Sequence, residues 1–139
     1  MKDYDIDVER SVLGCLITYE HLQEKISLVC EEDFYFPLHQ NICGMLKSLN
    51  GEKIDFVKLS ANMGDDEKKA ILVCVQSVIS AAVFDDHLAI LKQMSSQRRI
   101  VNKLNELIYT SNATVQSLQE VIEEEQDKGV LSSANDISK

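Results

Sequence analysis

The 139-residue chain is 45% apolar and 27% charged, the balance of an ordinary globular domain, and is long enough to bury a core without disulfides or metals. One proline and five glycines favour helices over a many-turned β fold. Fourteen basic residues against 23 acidic ones give a net charge of −9, the wrong sign for a protein that grips phosphate backbones by releasing counterions. A protein partner is therefore expected, with little direct nucleic-acid binding.

No run approaches the roughly 18 consecutive apolar residues of a membrane span. The opening MKDYDIDVERS is too acidic and polar for a signal peptide, so a cytoplasmic location without a membrane partner is the expectation. A first helix starts near Asp5 or Asp7, whose carboxylates complement the positive end of the helix dipole. Val8, Val12, Leu13, Leu16 and Ile17 form its buried face. Gly14 lies within it, where glycine costs about 1 kcal/mol relative to alanine; it either admits a second helix closely or is simply tolerated. Glu20 to Val29 reads as a shorter helix with Leu22, Ile26 and Val29 inward.

Glu31 to Leu49, EEDFYFPLHQNICGMLKSL, has the strongest local logic. Asp33 is a candidate helix cap, and Pro37 suits a first helical turn, where its missing N–H costs nothing. Leu38, Ile42, Met45, Leu46 and Leu49 then form one stripe, and Asn50-Gly51 supplies a stop. Phe34, Tyr35 and Phe36 make an aromatic plug that anchors neighbouring helices. Asp55 caps another short helix with Phe56, Leu59 and Met63 apolar and Gly64 at its end. Asp65 and Asp66 introduce a helix through about Ser80, apolar around much of its circumference and expected to be largely enclosed. Ser80 to Val83 connects it onward.

From Asp85, Leu88, Leu91, Met94, Val101, Leu104 and Ile108 trace a seam at near-heptad spacing. Thr110 to Ala113 breaks it, and Thr114 is a candidate cap for a second helix carrying Val115, Leu118, Val121 and Ile122. So short a break predicts an antiparallel hairpin. Lys92, Arg98, Arg99 and Lys103 carry no acid between them, while Glu123, Glu124, Glu125 and Asp127 cluster near the far end. The fold-back sets Arg98 opposite Asp127 and Lys103 opposite Ile122; the alternative is a solvated charged surface. After Gly129 the chain turns polar. The expected fold is all-α, a compact multi-helix head (1–84) followed by an antiparallel helical hairpin (85–128) and a polar tail or linker (129–139).

The sequence carries none of the common catalytic or ligand motifs. The chain has no G-x-x-x-x-G-K-[ST] or G-x-G-x-x-G loop for a nucleotide and no G-x-S-x-G elbow. His21, His39 and His87 form no H-E-x-x-H pair, and Cys15, Cys30, Cys43 and Cys74 lack metal-ligand spacing. The cysteines read as small hydrophobes, and His39 as packing or hydrogen-bonding beside the aromatic plug. No enzyme, metal or cofactor is expected; a helical interaction domain is.

Two motifs nevertheless resemble a known family. Glu9 followed by Ser11-Val12-Leu13-Gly14 is similar to the E-x-x-V-L-G opening of the amino-terminal domain of replicative DnaB-type helicases. Asp33-Phe34-Tyr35 with His39 and Ile42 resembles its D-F-Y…H-x-x-I signature. Asp55 and Leu59 match its next short helix, and Arg98 falls where the family commonly carries an arginine; the resemblance spans about Asp5 to Ile108. The family's proline ahead of the opening glutamate is absent, as is the motor domain with its phosphate loop. The resemblance implies a non-catalytic domain that pairs with copies of itself, as a dimer or in the collar of a hexamer. That collar docks the primase carboxy-terminal domain or a helicase loader. An alternative is a stand-alone, phage-encoded regulator of a helicase. Interface candidates are Gln93, Gln97, Asn105 and Tyr109. Ile90, Ile100 and Leu107 either pair protomers or pack on their own head, and Arg98 divides between an intra-hairpin ion pair and an interface.

Overall fold

The computed structural model describes residues 2–49 and 52–127, and every regular element among them is helical. Five α-helices, α1 (Ile6–Thr18), α2 (Pro37–Ser48), α3 (Phe56–Ser60), α4 (Asp65–Gln76) and α5 (Phe84–Asp127), are joined by 3₁₀ segments at Glu20–Leu28, Glu31–Asp33 and Ala81–Val83. The all-α class is the one expected. The chain divides into two compact units, Met1–Arg98 and Arg99–Lys139. Asn50-Gly51, read as a helix stop, and the polar tail from Gly129 lie outside the described residues.

Within the first unit, local chemistry sets the element ends. Asp5 caps α1 by accepting from the amides of Asp7 at 2.9 Å and Val8 at 3.2 Å, and Asp55 caps α3 through the Val57 amide at 2.9 Å. Pro37 opens α2 in its first turn. α1 is the central element: Val12, Leu13, Cys15 and Leu16 are wholly buried, against Ile42 and Cys43 of α2, Ile71 and Cys74 of α4, and Phe34, Phe84 and Leu91. At Gly14 a Cβ would stand 2.2 Å from the Cys74 carbonyl oxygen and 2.5 Å from Val78 Cγ2. The glycine is therefore required for the α1–α4 approach rather than merely tolerated.

The structure corrects several expectations. Glu20–Leu28 winds as a 3₁₀ helix, closed by i→i+3 bonds such as Val29 N–H to the Ile26 carbonyl. Asp33 does not cap α2. It closes the Glu31–Asp33 turn by accepting from the Cys30 amide at 2.8 Å, and Phe36 precedes α2 with no side-chain cap. Gly64 caps the start of α4 instead of ending α3. α4 stops at Gln76 and buries only Ile71 and Cys74 fully, leaving Leu72 half exposed, because it packs on one side, against α1 and α2.

The hairpin is the largest correction, because α5 is assigned as one helix of 44 residues running through Thr110–Ala113. That stretch is polar but contains neither Gly nor Pro, the residues that end helices decisively. Thr114 does not act as a cap. Its hydroxyl donates back to the Thr110 carbonyl at 2.9 Å, one turn earlier, which keeps the residue inside the helix.

Candidate interaction surface

Two buried carboxylates organise the first unit. Glu9, on α1 and 1% exposed, accepts from the Tyr35 amide at 2.9 Å and from the Phe36 amide at 3.5 Å. His39 Nδ1 lies 2.8 Å from the same carboxylate; with an acceptor there, the Nδ1 position carries the proton and donates. One side chain thus gives partners to amides between the Glu31–Asp33 turn and α2 that no helix satisfies, and orients the histidine. Of the three aromatics, Phe34 is fully buried while Tyr35 is 46% exposed. Tyr35 stacks on Tyr4 at 4.2 Å between ring centroids, and Phe36 meets both rings edge-on. The aromatic plug is one core residue plus a surface-facing cluster.

The second carboxylate, Asp33, fastens the first turns of α5. Its Oδ2 accepts from Lys92 Nζ at 2.6 Å and from the Cys30 amide, and its Oδ1 accepts from the Ser95 hydroxyl at 2.9 Å. Burial alone would raise the Asp33 carboxyl, but the hydrogen bonds from Lys92, Cys30 and Ser95 and the Lys92 charge outweigh it and hold it below the usual carboxylate range. One turn on, Arg98 donates to the carbonyls of Asp3 at 2.6 Å, Asp33 at 2.9 Å and Glu32 at 3.4 Å. Its guanidinium lies 5.9 Å from the Tyr35 ring centroid. The expected pairing of Arg98 with Asp127 across a fold-back is replaced by these carbonyls, since α5 does not turn back.

Lys92, Ser95 and Arg98 recur at three-residue steps on one helix face. That spacing, with Arg98 at the family's arginine position and Asp33 in its signature, does not reveal that Asp33 lies opposite Lys92 and Ser95. Ser11 and His87, linked at 2.6 Å between α1 and α5, likewise carried no sequence signal.

The remaining interface candidates all lie on α5. Gln93 is exposed and Gln97 half-buried. In the second unit Ile100, Asn105, Leu107 and Tyr109 are exposed. Ile100 and Leu107, seven residues apart, share a face with Val101, Leu104, Ile108, Val115, Leu118, Val121 and Ile122, each of these nine 47–64% exposed.

A hollow of about 710 Å³ in the first unit, beside Ile26, Leu46 and Ile54, is edged by opposed charges, with Lys53 3.7 Å from Glu20. Its one hydroxyl, on Ser27, donates to the Glu24 backbone carbonyl at 3.3 Å. Among the described residues, no three His, Cys, Asp or Glu side chains are placed to hold a metal ion, and no single helix is long and apolar enough to cross a membrane.

The model of the DnaB-like helicase N-terminal domain matches residues 1–93. The chain belongs to that family. Both carboxylate hubs lie within the matched span or reach its edge, and the two motifs that carried the resemblance contain Glu9, Asp33 and His39. This DnaB-like N-terminal domain shares its fold with the crystal structure of the N-terminal domain of DnaB helicase from Mycobacterium tuberculosis. The TM-score is 0.70 and the identity 23%, over 83% of this chain and 89% of that one. A DnaB-like replicative helicase, described with its interactions with primase, matches at TM-score 0.68 and 21% identity over 97% of this chain. The present chain spans 35% of that protein's length. No curated protein sequence matches it.

Proposed function

We propose that this DnaB-like N-terminal domain is the non-catalytic collar of a replicative helicase in the cytoplasm: it associates with copies of itself and docks primase or a helicase loader. The observation that carries the reading is the family match over residues 1–93. Two features agree with it: a net charge of −9, unsuited to gripping a phosphate backbone, and an exposed apolar stripe on α5. Gln93, Gln97, Asn105 and Tyr109 are the proposed polar contacts, with Ile100 and Leu107 as apolar ones. The mechanism is scaffolding, in which a docked primase acts at a raised effective concentration beside the motor and biases the collar among its symmetric states.

Titration with a primase carboxy-terminal domain tests the reading. Saturable binding that weakens on substituting Gln93 or Tyr109 is the expected result. No binding between two folded partners removes the docking role, and tight, salt-sensitive binding to DNA instead would replace it with a nucleic-acid function.

A further inference from the structure

His39 carries a hydrogen-bonding atom that the first unit leaves unused. The residue is 5% exposed, and its Nδ1 proton is committed to Glu9 at 2.8 Å. In the neutral ring the other nitrogen, Nε2, therefore holds a lone pair and can only accept. No group among the described residues donates to it. Every fully buried side-chain nitrogen and oxygen among those residues has a partner, so Nε2 is not sealed in the core. It opens into a hollow of about 320 Å³ that His39 lines.

Three elements build the hollow. Ile6 of α1, Phe36 and Leu38 at the start of α2, and Ala70 and Val73 of α4 form its apolar walls. Phe36 stands edge-on to the His39 ring at 5.6 Å between centroids. Leu38 and Val73, 39% and 37% exposed, carry the wall out to the surface. Arg10, Lys69 and Asp66 complete the rim, a balance of one positive charge in a chain whose total is −9. Arg10 is already 3.8 Å from Asp7, whereas Lys69 makes no ion pair among the described residues.

These features set the chemistry of an occupant. An apolar pocket with one buried acceptor selects a flat apolar group that ends in a donor, and disfavours one that ends in a carbonyl. The volume is at the small end of the range for free ligands, about 300–1,000 Å³, and suits a single inserted ring. Tyrosine supplies both ring and hydroxyl, and tyrosines set into pockets carry much of the energy of protein interfaces. The unpaired Lys69 favours a carboxylate beside that ring.

We propose that this hollow is a docking site for a protein segment that inserts a tyrosine next to an acidic residue. The ring lies between Phe36, Leu38 and Val73, its hydroxyl donates to His39 Nε2, and the neighbouring carboxylate meets Lys69. Glu9 is a positioning residue, since it fixes which ring nitrogen is left to face the occupant. None of these residues is among the α5 contacts proposed above, so the site stands or falls separately from them.

Titration of the whole chain with capped peptides tests it, followed by the ¹⁵N signal of His39 Nε2. The probe is Gly-Glu-Tyr-Glu-Gly, compared with versions carrying phenylalanine for tyrosine or lysine for both glutamates. The expected result is a saturable shift at Nε2. Affinity should fall about twofold to tenfold for the phenylalanine peptide, which lacks only the hydroxyl. It should fall about twofold to fivefold for Lys69→Ala, a change at an exposed position. Comparing peptides on one unaltered protein keeps folding out of the result. No binding of the tyrosine peptide, equal binding of its phenylalanine version, or binding that leaves Nε2 unmoved overturns the site. A lysine-flanked peptide that binds as tightly overturns the acidic partner. Binding of 4-hydroxyphenylacetate as tight as that of the peptide would assign the hollow to a small phenolic ligand instead of a protein.

Discussion

At Gly14 the α1 and α4 backbones come so close that no side chain fits. Alanine there gains about 1 kcal/mol of helix propensity, but its methyl would sit 2.2 Å from a backbone carbonyl oxygen that cannot swing away. Overpacking of this kind costs about 1–3 kcal/mol, so Gly14→Ala should lower the melting temperature. Gly44→Ala is the informative contrast, because the obstacle there is the Glu31 carboxylate, 2.8 Å from the added Cβ and free to rotate. Its melting temperature should be unchanged or higher; equal losses at both sites would refute the distinction. Asp33 acts through charge. Its folded-state carboxyl lies below its ordinary value, so its stabilisation is fully present above about pH 3.9, the unfolded value, and is lost as pH falls through the lower folded value. Asp33→Asn should cost about 1–3 kcal/mol at pH 7. Most of that comes from the buried Ser95 and Cys30 contacts, since Lys92 is 41% exposed and screened by solvent. Because 23 acidic residues titrate together, the decisive quantity is the stability difference between wild type and variant across pH. It should be constant above pH 5 and shrink towards zero in strong acid; a gap that persists at pH 2 would show that the charge is not what matters.

At the scale of elements, what was legible in the sequence was whatever one residue decides alone. Asp55, through its side-chain cap, and Pro37, through its fixed φ, each mark a helix start as their neighbours suggest, whereas the start of α1 was open between Asp5 and Asp7 and falls to the Asp5 cap. Asp33 was misread because its acceptors serve groups distant in sequence, Lys92 and Ser95 as well as the adjacent Cys30 amide, and no local pattern reveals such partners. Glu9 and His39 were recognisable as signature residues, but their hydrogen bond across 30 positions was not. The hairpin failed for a different reason. The polarity of Thr110–Ala113 was read as a break, yet an exposed helix tolerates polar residues, and none of these forbids helical backbone. Asn112→Pro separates the two outcomes. In a continuous helix the proline removes a backbone bond and clashes with the preceding turn, costing about 3 kcal/mol locally. Helicity by circular dichroism should therefore fall, with the melting of the first unit unchanged. A tight turn at this position would accept proline with no loss of helicity.

For the molecule as a whole, contacts within the first unit hold the first turns of α5 in place. Ser11–His87, Lys25–Asp85, Asp33–Lys92, Asp33–Ser95 and the Arg98 carbonyl bonds join residues within Met1–Arg98. The core residues from Val8 to Leu91 do likewise. A fragment comprising residues 1–98 therefore retains the buried apolar surface and both carboxylate hubs, and it should fold alone. Its melting temperature should match the head transition of the whole chain to within about 4 °C, the shift expected from a loss of about 1 kcal/mol in a domain of this size. The nine apolar side chains of the stripe lie beyond the cut, so removing them should also make the fragment's melting independent of concentration, as mass action requires for a monomer. A fragment that melts far below the whole chain would show that stability is shared between the units. One that still sediments as a dimer would move the self-association surface from α5 to the head.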